Sequence, residues 1–167
     1  METEKKYKLT DEYRTIRCIK LYRIEALKDF GAVHKGDKGG FIGSEVNLSH
    51  NGDCWVYGNA NVYNNAKVYD YAVVSGDARV FGKARVSGDA VVCDNARVVN
   101  NADYIVFKNW WSSGRYFTWT RSNNMWRVGC FYGTGEELIA KAYKDSNLSG
   151  REYERVVKYV ESILKED

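Results

Sequence analysis

Proline is absent from all 167 residues, although average usage near 5% places about eight in a chain of this length. No stretch approaches the ~20 consecutive apolar residues of a membrane-spanning helix. The opening run, METEKKYKLTDEYR, lacks the apolar core of a signal peptide. Histidine occurs only at His34 and His50. Cys18, Cys54, Cys93 and Cys130 lie far apart, with no CxxC pair and no His-containing cluster. This spacing excludes the common zinc motifs and reads as free thiols in a reducing compartment. P-loop, GxSxG and HExxH motifs are also missing. A net charge of +3 is too small to name a partner. The expectation is a cytoplasmic protein of single-domain size with no metal and no cofactor.

What the chain does contain is a repeat. Ala60, Ala66, Ala72, Ala78, Ala84, Ala90, Ala96 and Ala102 stand six residues apart, and Val62, Val68, Val74, Val80, Val86, Val92 and Val98 follow two residues behind. A fixed period over this many positions marks repeated structural units. Six is neither a helical-solenoid repeat nor a heptad. In Ala78-Arg79-Val80-Phe81, strand alternation points Ala78 and Val80 inward and Arg79 and Phe81 outward. Gly, Asn and Asp fill the pairs between (Gly58-Asn59, Asn64-Asn65, Gly76-Asp77, Gly88-Asp89, Asp94-Asn95, Asn100-Asn101), and these residues suit sharp corners. Three short strands per turn of a triangular coil give rungs of about 18 residues. Leu48 and Cys54 extend the alanine register upstream, which starts the coil near residue 42.

The remainder divides around this coil. Residues 1–53 form an N-terminal cap with an irregular first rung: Thr15–Leu27 reads as a strand and Phe30–Gly43 as a loop. The hexads fill 54–103. Residues 104–133 read as antiparallel strands over Tyr104–Lys108, Arg115–Arg121 and Met125–Phe131. In 134–167 two capping boxes, Thr134 with Glu137 and Ser149 with Glu152, open two helices. The fold class is therefore mainly β, a triangular parallel solenoid flanked by a strand and loop cap, an antiparallel segment and two C-terminal helices.

Grouping the repeats by threes gives the outward columns. One carries Trp55, Val73 and Val91 beside Tyr57, Ser75 and Cys93. It is apolar, and burial against a second copy or the chain's own caps removes it from water. A second column shows Asn61, Arg79 and Arg97, and a third Lys67, Arg85 and Asp103. Such ladders repel unless Asp77, Asp89 and Asp94 neutralise them or an anionic ligand or acidic protein sits beside them. The segment 104–133 has four basic residues, no acidic one, and 10 of the 24 aromatics. Trp110, Trp111, Tyr116, Trp119 and Trp126 interleave with Arg115, Arg121 and Arg127. Such residues stack on bases, hold phosphates or make interface hot spots, unless the aromatics bury on the coil.

The runs VYNNAK, VYDYAV, VSGDAR, VFGKAR, VSGDAV, VCDNAR and VVNNAD resemble the hexapeptide-repeat family, whose fold is a left-handed parallel β-helix. Trimerisation is common there. Many members are acyl-CoA-dependent acyltransferases with a histidine as general base, but the regular hexads here hold no histidine. His34 and His50 are the remaining options for that chemistry. KLYRIEALKDFGAVHKGDKGGFIGSE, LSHNGDCWVYGNA and FTWTRSNNMWRVGCFYGTGEEL are similar to bacteriophage and prophage hexapeptide-repeat proteins. That resemblance implies a non-enzymatic oligomer in the cytoplasm of a bacterial host. It would block a defence component (an anti-CRISPR or similar) through Trp110, Trp111, Arg115, Tyr116, Trp119, Arg121, Trp126, Arg127, Arg79 and Arg97. Trp55, Tyr57, Val73 and Val91 would join the subunits. Sequestration of a nucleotide signal is the alternative, and acyl transfer a second.

Overall fold

The computed structural model describes residues 4–166. Its first two strands, β1 (Tyr7–Ile16) and β2 (Ile19–Ala26), form a hairpin, with Arg17 and Cys18 both at positive φ in the turn. The single strand expected over Thr15–Leu27 is thus the second arm of a pair. β1 buries Tyr7 and leaves the rest of its polar run partly or fully exposed, with an irregularity in its pairing between Leu9 and Tyr13. β3 (Lys38–Ile42) joins β2 antiparallel on one side and the coil in parallel on the other.

The coil contains β4 (Trp55–Val56), β5 (Asn61–Val62), β6 (Lys67–Val68), β7 (Val73–Val74), β8 (Arg79–Val80), β9 (Arg85–Val86), β10 (Val91–Val92) and β11 (Arg97–Val98). Trp55 lies opposite Val73 and Val73 opposite Val91, Asn61 opposite Arg79 and Arg79 opposite Arg97, and Lys67 opposite Arg85. The eighteen-residue rung and its three faces follow directly. The repeat alanines from Ala60 to Ala96 and valines from Val62 to Val98 are at most 1% exposed. Corners begin at positive φ on Gly58, Asn64, Asp70, Gly76, Gly82, Gly88 and Asp94. At Gly76 a side chain would also meet the Asp94 amide of the next rung at 2.8 Å, so glycine is required there twice over.

Both ends of the repeat depart from the register. Leu48 pairs with Val68, which places it in a valine position. Cys54 precedes Trp55 in an alanine position. The six residues from Leu48 to Cys54 replace the four that separate Val62 from Ala66, so the first rung carries a two-residue bulge at Ser49–Asp53. Ala102 is exposed in a 3-10 turn (Asn101–Asp103), and the coil ends at Val98. Asp103 does not continue the Lys67–Arg85 column. Its carboxylate accepts the Val99 and Asn100 amides at 2.8 and 3.0 Å.

Beyond the coil, β12 (Tyr104–Lys108), β13 (Tyr116–Thr120), β14 (Met125–Val128) and β15 (Phe131–Gly133) make a four-stranded antiparallel sheet. The third strand expected over Met125–Phe131 breaks at Gly129, where φ is +56°. Two helices follow, α1 (Gly135–Asp145) and α2 (Asn147–Lys165). The Thr134 capping box forms, Thr134 Oγ1 accepting the Glu137 amide at 3.2 Å and Glu137 Oε2 the Thr134 amide at 2.9 Å. The second cap sits three residues earlier than expected. Ser146 Oγ accepts the Ser149 amide at 3.0 Å, and Ser149 lies inside the first turn of α2.

Strand alternation makes this half a layered structure. Tyr104 and Val106 pack toward the coil, whereas Ile105, Phe107, Phe117, Trp119, Trp126 and Val128 pack on Leu138, Ala142, Tyr153, Val157 and Val160 of the helices.

Candidate functional site

A coil open at both ends exposes unpaired backbone groups, which seed aggregation unless covered. At the first rung the Leu48 and Cys54 carbonyls aim where a preceding rung would lie. The Tyr7 hydroxyl donates to Leu48 O at 2.7 Å, and Lys6 Nζ donates to Cys54 O at 2.8 Å and Gly52 O at 3.0 Å. At the last rung each face ends on an amide met by a side-chain oxygen. Asn101 Oδ1 takes Arg85 N at 2.9 Å, Thr118 Oγ1 takes Val91 N at 2.9 Å, and Ser122 Oγ takes Arg97 N at 2.7 Å. These plugs occupy both ends of the coil.

The apolar column is largely consumed by the same plugs. Trp55 is 1% exposed, edge-on to Tyr7 and Phe30 at ring separations of 6.1 and 5.2 Å. Tyr57 packs half-buried against the same core, and Val91 lies under β13 through Thr118. Trp55 is therefore covered by its own chain and is not on offer to a second subunit. Val73 and Ser75 are half-buried.

His50 sits in the first-rung bulge, stacked on Tyr7 with ring centroids 4.2 Å apart. Its Nδ1 accepts the Lys6 amide at 3.2 Å, so the neutral ring carries its proton on Nε2, 3.7 Å from Glu45 Oε2. Burial lowers its pKa, against the opposing pull of Glu45. With one nitrogen bonded and the other protonated, the ring offers no free lone pair to act as a general base in this arrangement. His34 lies exposed in the loop before β3, where Asp37 Oδ2 accepts its amide at 2.8 Å.

The basic columns have the expected register. None of Lys67, Arg79, Arg85 and Arg97 forms an ion pair among the described residues, so Asp77, Asp89 and Asp94 do not clamp them. Asp94 instead faces Cys93, whose thiol is pushed up to about 11 by burial and by that carboxylate. Beside the second column Tyr63 and Phe81 stack at 5.1 Å, and Arg14 and Arg23 lie on the Phe41 ring at 3.7 and 4.3 Å. The β1–β2 hairpin thus shields the upper part of that face.

The aromatic and basic segment does not make one continuous surface. Trp119 and Trp126 are each 1% exposed in the sheet–helix core, and Trp119 Nε1 donates to Asn124 Oδ1 at 2.8 Å. They bury against the helices, not the coil. Trp111 is half-buried, edge-on to Tyr153 at 4.8 Å. Arg127 shares the coil-facing side of β14 with Met125, and Arg121 is half-buried. What remains together is the β12–β13 end. Trp110 is 70% exposed and Tyr116 47%. Lys108 Nζ lies 5.9 Å from the Tyr116 ring, and Arg115 stands one residue away, its carbonyl accepting Asn109 N at 2.8 Å. Sequence reasoning missed Asn109, which is buried and holds this turn through Ser112 and Tyr153.

No family model matches the chain, and no curated protein matches it. Among the described residues no group of three or more His, Cys, Asp and Glu is placed to hold a metal ion, and no helix is long and apolar enough to cross a membrane.

Proposed function

We propose that the protein is a non-enzymatic binding protein that engages a protein partner through the β12–β13 end of its sheet. The observation that carries this reading is the exposure of Trp110 and Tyr116 in a segment whose other large aromatics are buried or half-buried. A buried aromatic has a packing role. An exposed indole and phenol beside Lys108 and Arg115, which forms no ion pair among the described residues, is the composition of an interface hot spot. The resemblance of the runs flanking and including the hexads (KLYRIEALKDFGAVHKGDKGGFIGSE, LSHNGDCWVYGNA and FTWTRSNNMWRVGCFYGTGEEL among them) to phage and prophage proteins supports a bacterial defence component as the partner to test first. Self-association belongs to the same proposal. Since Trp55 is enclosed, a homo-oligomer has Val73 and the 60% exposed Tyr71 to build on. Light scattering on the purified chain reads its mass.

The test is capture of partners from bacterial lysate by the wild type and by a Trp110→Ala/Tyr116→Ala double variant, with thermal unfolding of both. The expected result is a specific partner lost in the double variant at unchanged melting temperature. Equal capture by both proteins overturns the assignment of this end as the contact surface.

A further inference from the structure

One residue before Trp110, Asn109 enters a cleft of about 330 Å³ between the β12–β13 turn, the β14–β15 turn and the two helices. Arg115 and Lys141 stand in its walls with the hydroxyls of Ser112, Ser113 and Ser149, and Asp145 is the only carboxylate among its described lining residues. Lys141 keeps a long ion pair with Asp145 at 3.6 Å, both side chains being exposed. No acidic side chain lies within ion-pair distance of Arg115 among the described residues. Among the described residues the cleft therefore holds two cations against one anion.

Its walls are held in place. The Arg115 amide donates to Ser113 Oγ at 3.2 Å, and its guanidinium lies over Gly129, Nη1 reaching within 3.5 Å of where a Cβ would stand. Asn109 Oδ1 accepts both the amide and the hydroxyl of Ser112, at 2.9 and 3.1 Å, while its Nδ2 donates to the Tyr153 hydroxyl at 3.2 Å. Ser149 brings the start of α2 to the rim, and no acidic residue stands in that first turn. Because Ser146 closes α1 and opens α2, the negative end of α1 offsets the positive end of α2, and the charge of the cleft is that of its side chains.

We infer that this cleft binds a phosphate group. A guanidinium offers a planar fork of donors, an ammonium a point charge and serines adaptable hydroxyls, which together match a tetrahedral oxyanion. The phosphate comes either free or on a nucleotide, in which case the exposed Trp110 indole supplies a stacking face for the base. This inference goes beyond protein contact and does not depend on it.

The experiment is an amide NMR titration of the full chain at constant ionic strength with inorganic phosphate, then with adenosine and uridine monophosphates. Saturable shifts are expected on the amides of Ser112, Ser113, Arg115 and Ser149. Arg115→Gln with Lys141→Gln is expected to weaken binding roughly ten- to a hundredfold by removing charge-assisted hydrogen bonds, with unchanged melting temperature. Tighter binding of the mononucleotides than of phosphate, with the gain lost in Trp110→Ala, identifies a nucleotide. Equal binding identifies the free ion. No saturable shift up to roughly 10 mM, shifts confined to the Lys67–Arg85 face, or undiminished binding by the double glutamine variant overturns the inference. Partner capture reads Trp110 and Tyr116 without phosphate, so the two ideas fail separately.

Discussion

The Lys6 ammonium lies 2.8 Å from the Cys54 carbonyl and 3.3 Å from its sulfur, in a side chain only 1% exposed. No carboxylate pairs with it among the described residues, although Asp53 and the Cys54 thiol draw its pKa upward against the larger lowering by burial. A lysine in this position replaces the strand that a further rung would have provided.

Lys6→Met is therefore expected to destabilise the fold by about 1–3 kcal/mol. It strips the donor from the Gly52 and Cys54 carbonyls, and relief of the buried charge offsets only part of that loss. Urea denaturation measures it, and a variant as stable as the wild type would show that the plug is ornamental.

His50 sets a pH dependence. Its folded pKa lies below the ordinary 6.5, chiefly through burial and also through Lys5 and Lys6, with Glu45 pulling the other way. As pH falls through that window the unfolded chain takes up a proton before the folded one, so stability falls as well. Glu45, held low by its hydrogen bond to Lys5, loses its own contribution only below 4.5. Melting temperature is expected to drop as pH falls below the ordinary imidazole range, and His50→Gln is expected to flatten that slope.

The last-rung caps separate buried from exposed hydrogen bonds. Thr118 is 1% exposed, and Thr118→Val orphans the Val91 amide where water cannot replace it, at about 1–3 kcal/mol. Ser122 is exposed, and Ser122→Ala lets water reach Arg97 N, at about 0.5 kcal/mol or less. Chemical denaturation of the two variants side by side checks the difference.

Trp119 and Trp110 differ in the same sense. Trp119→Ala empties the sheet–helix core and is expected to cost about 3–5 kcal/mol, with any loss of binding following from unfolding. Trp110→Ala is expected to leave stability within about 0.5 kcal/mol of the wild type. Calorimetry on each variant distinguishes a core residue from a surface one.

The coil was legible because its physics is local and repeated: every Ala/Val pair reports the same inward direction, and every Gly, Asn or Asp the same corner. Leu48 misled because six residues is also the spacing produced by a four-residue step with two extra residues inserted. Ala102 kept the period although the strand that follows it, β12, belongs to the antiparallel sheet and not to the coil. In the sheet, alternation identified two faces but not their neighbours, so nothing in YFTWT said that Phe117 and Trp119 would turn to the helices and Thr118 to the coil. Asn109 and Lys6 were hidden for another reason. Each serves backbone or side-chain groups far away in sequence, and long-range hydrogen bonds leave no periodic trace.

The capped ends also restrict how this molecule can change length. Inserting or deleting a single hexad advances every later element by about a third of a revolution, swinging the sheet and helices to a different side of the N-terminal plug. A whole rung of eighteen shifts them along the axis by about 4.8 Å and keeps their bearing. Variants that preserve the relation between the two ends should therefore differ in steps of eighteen residues.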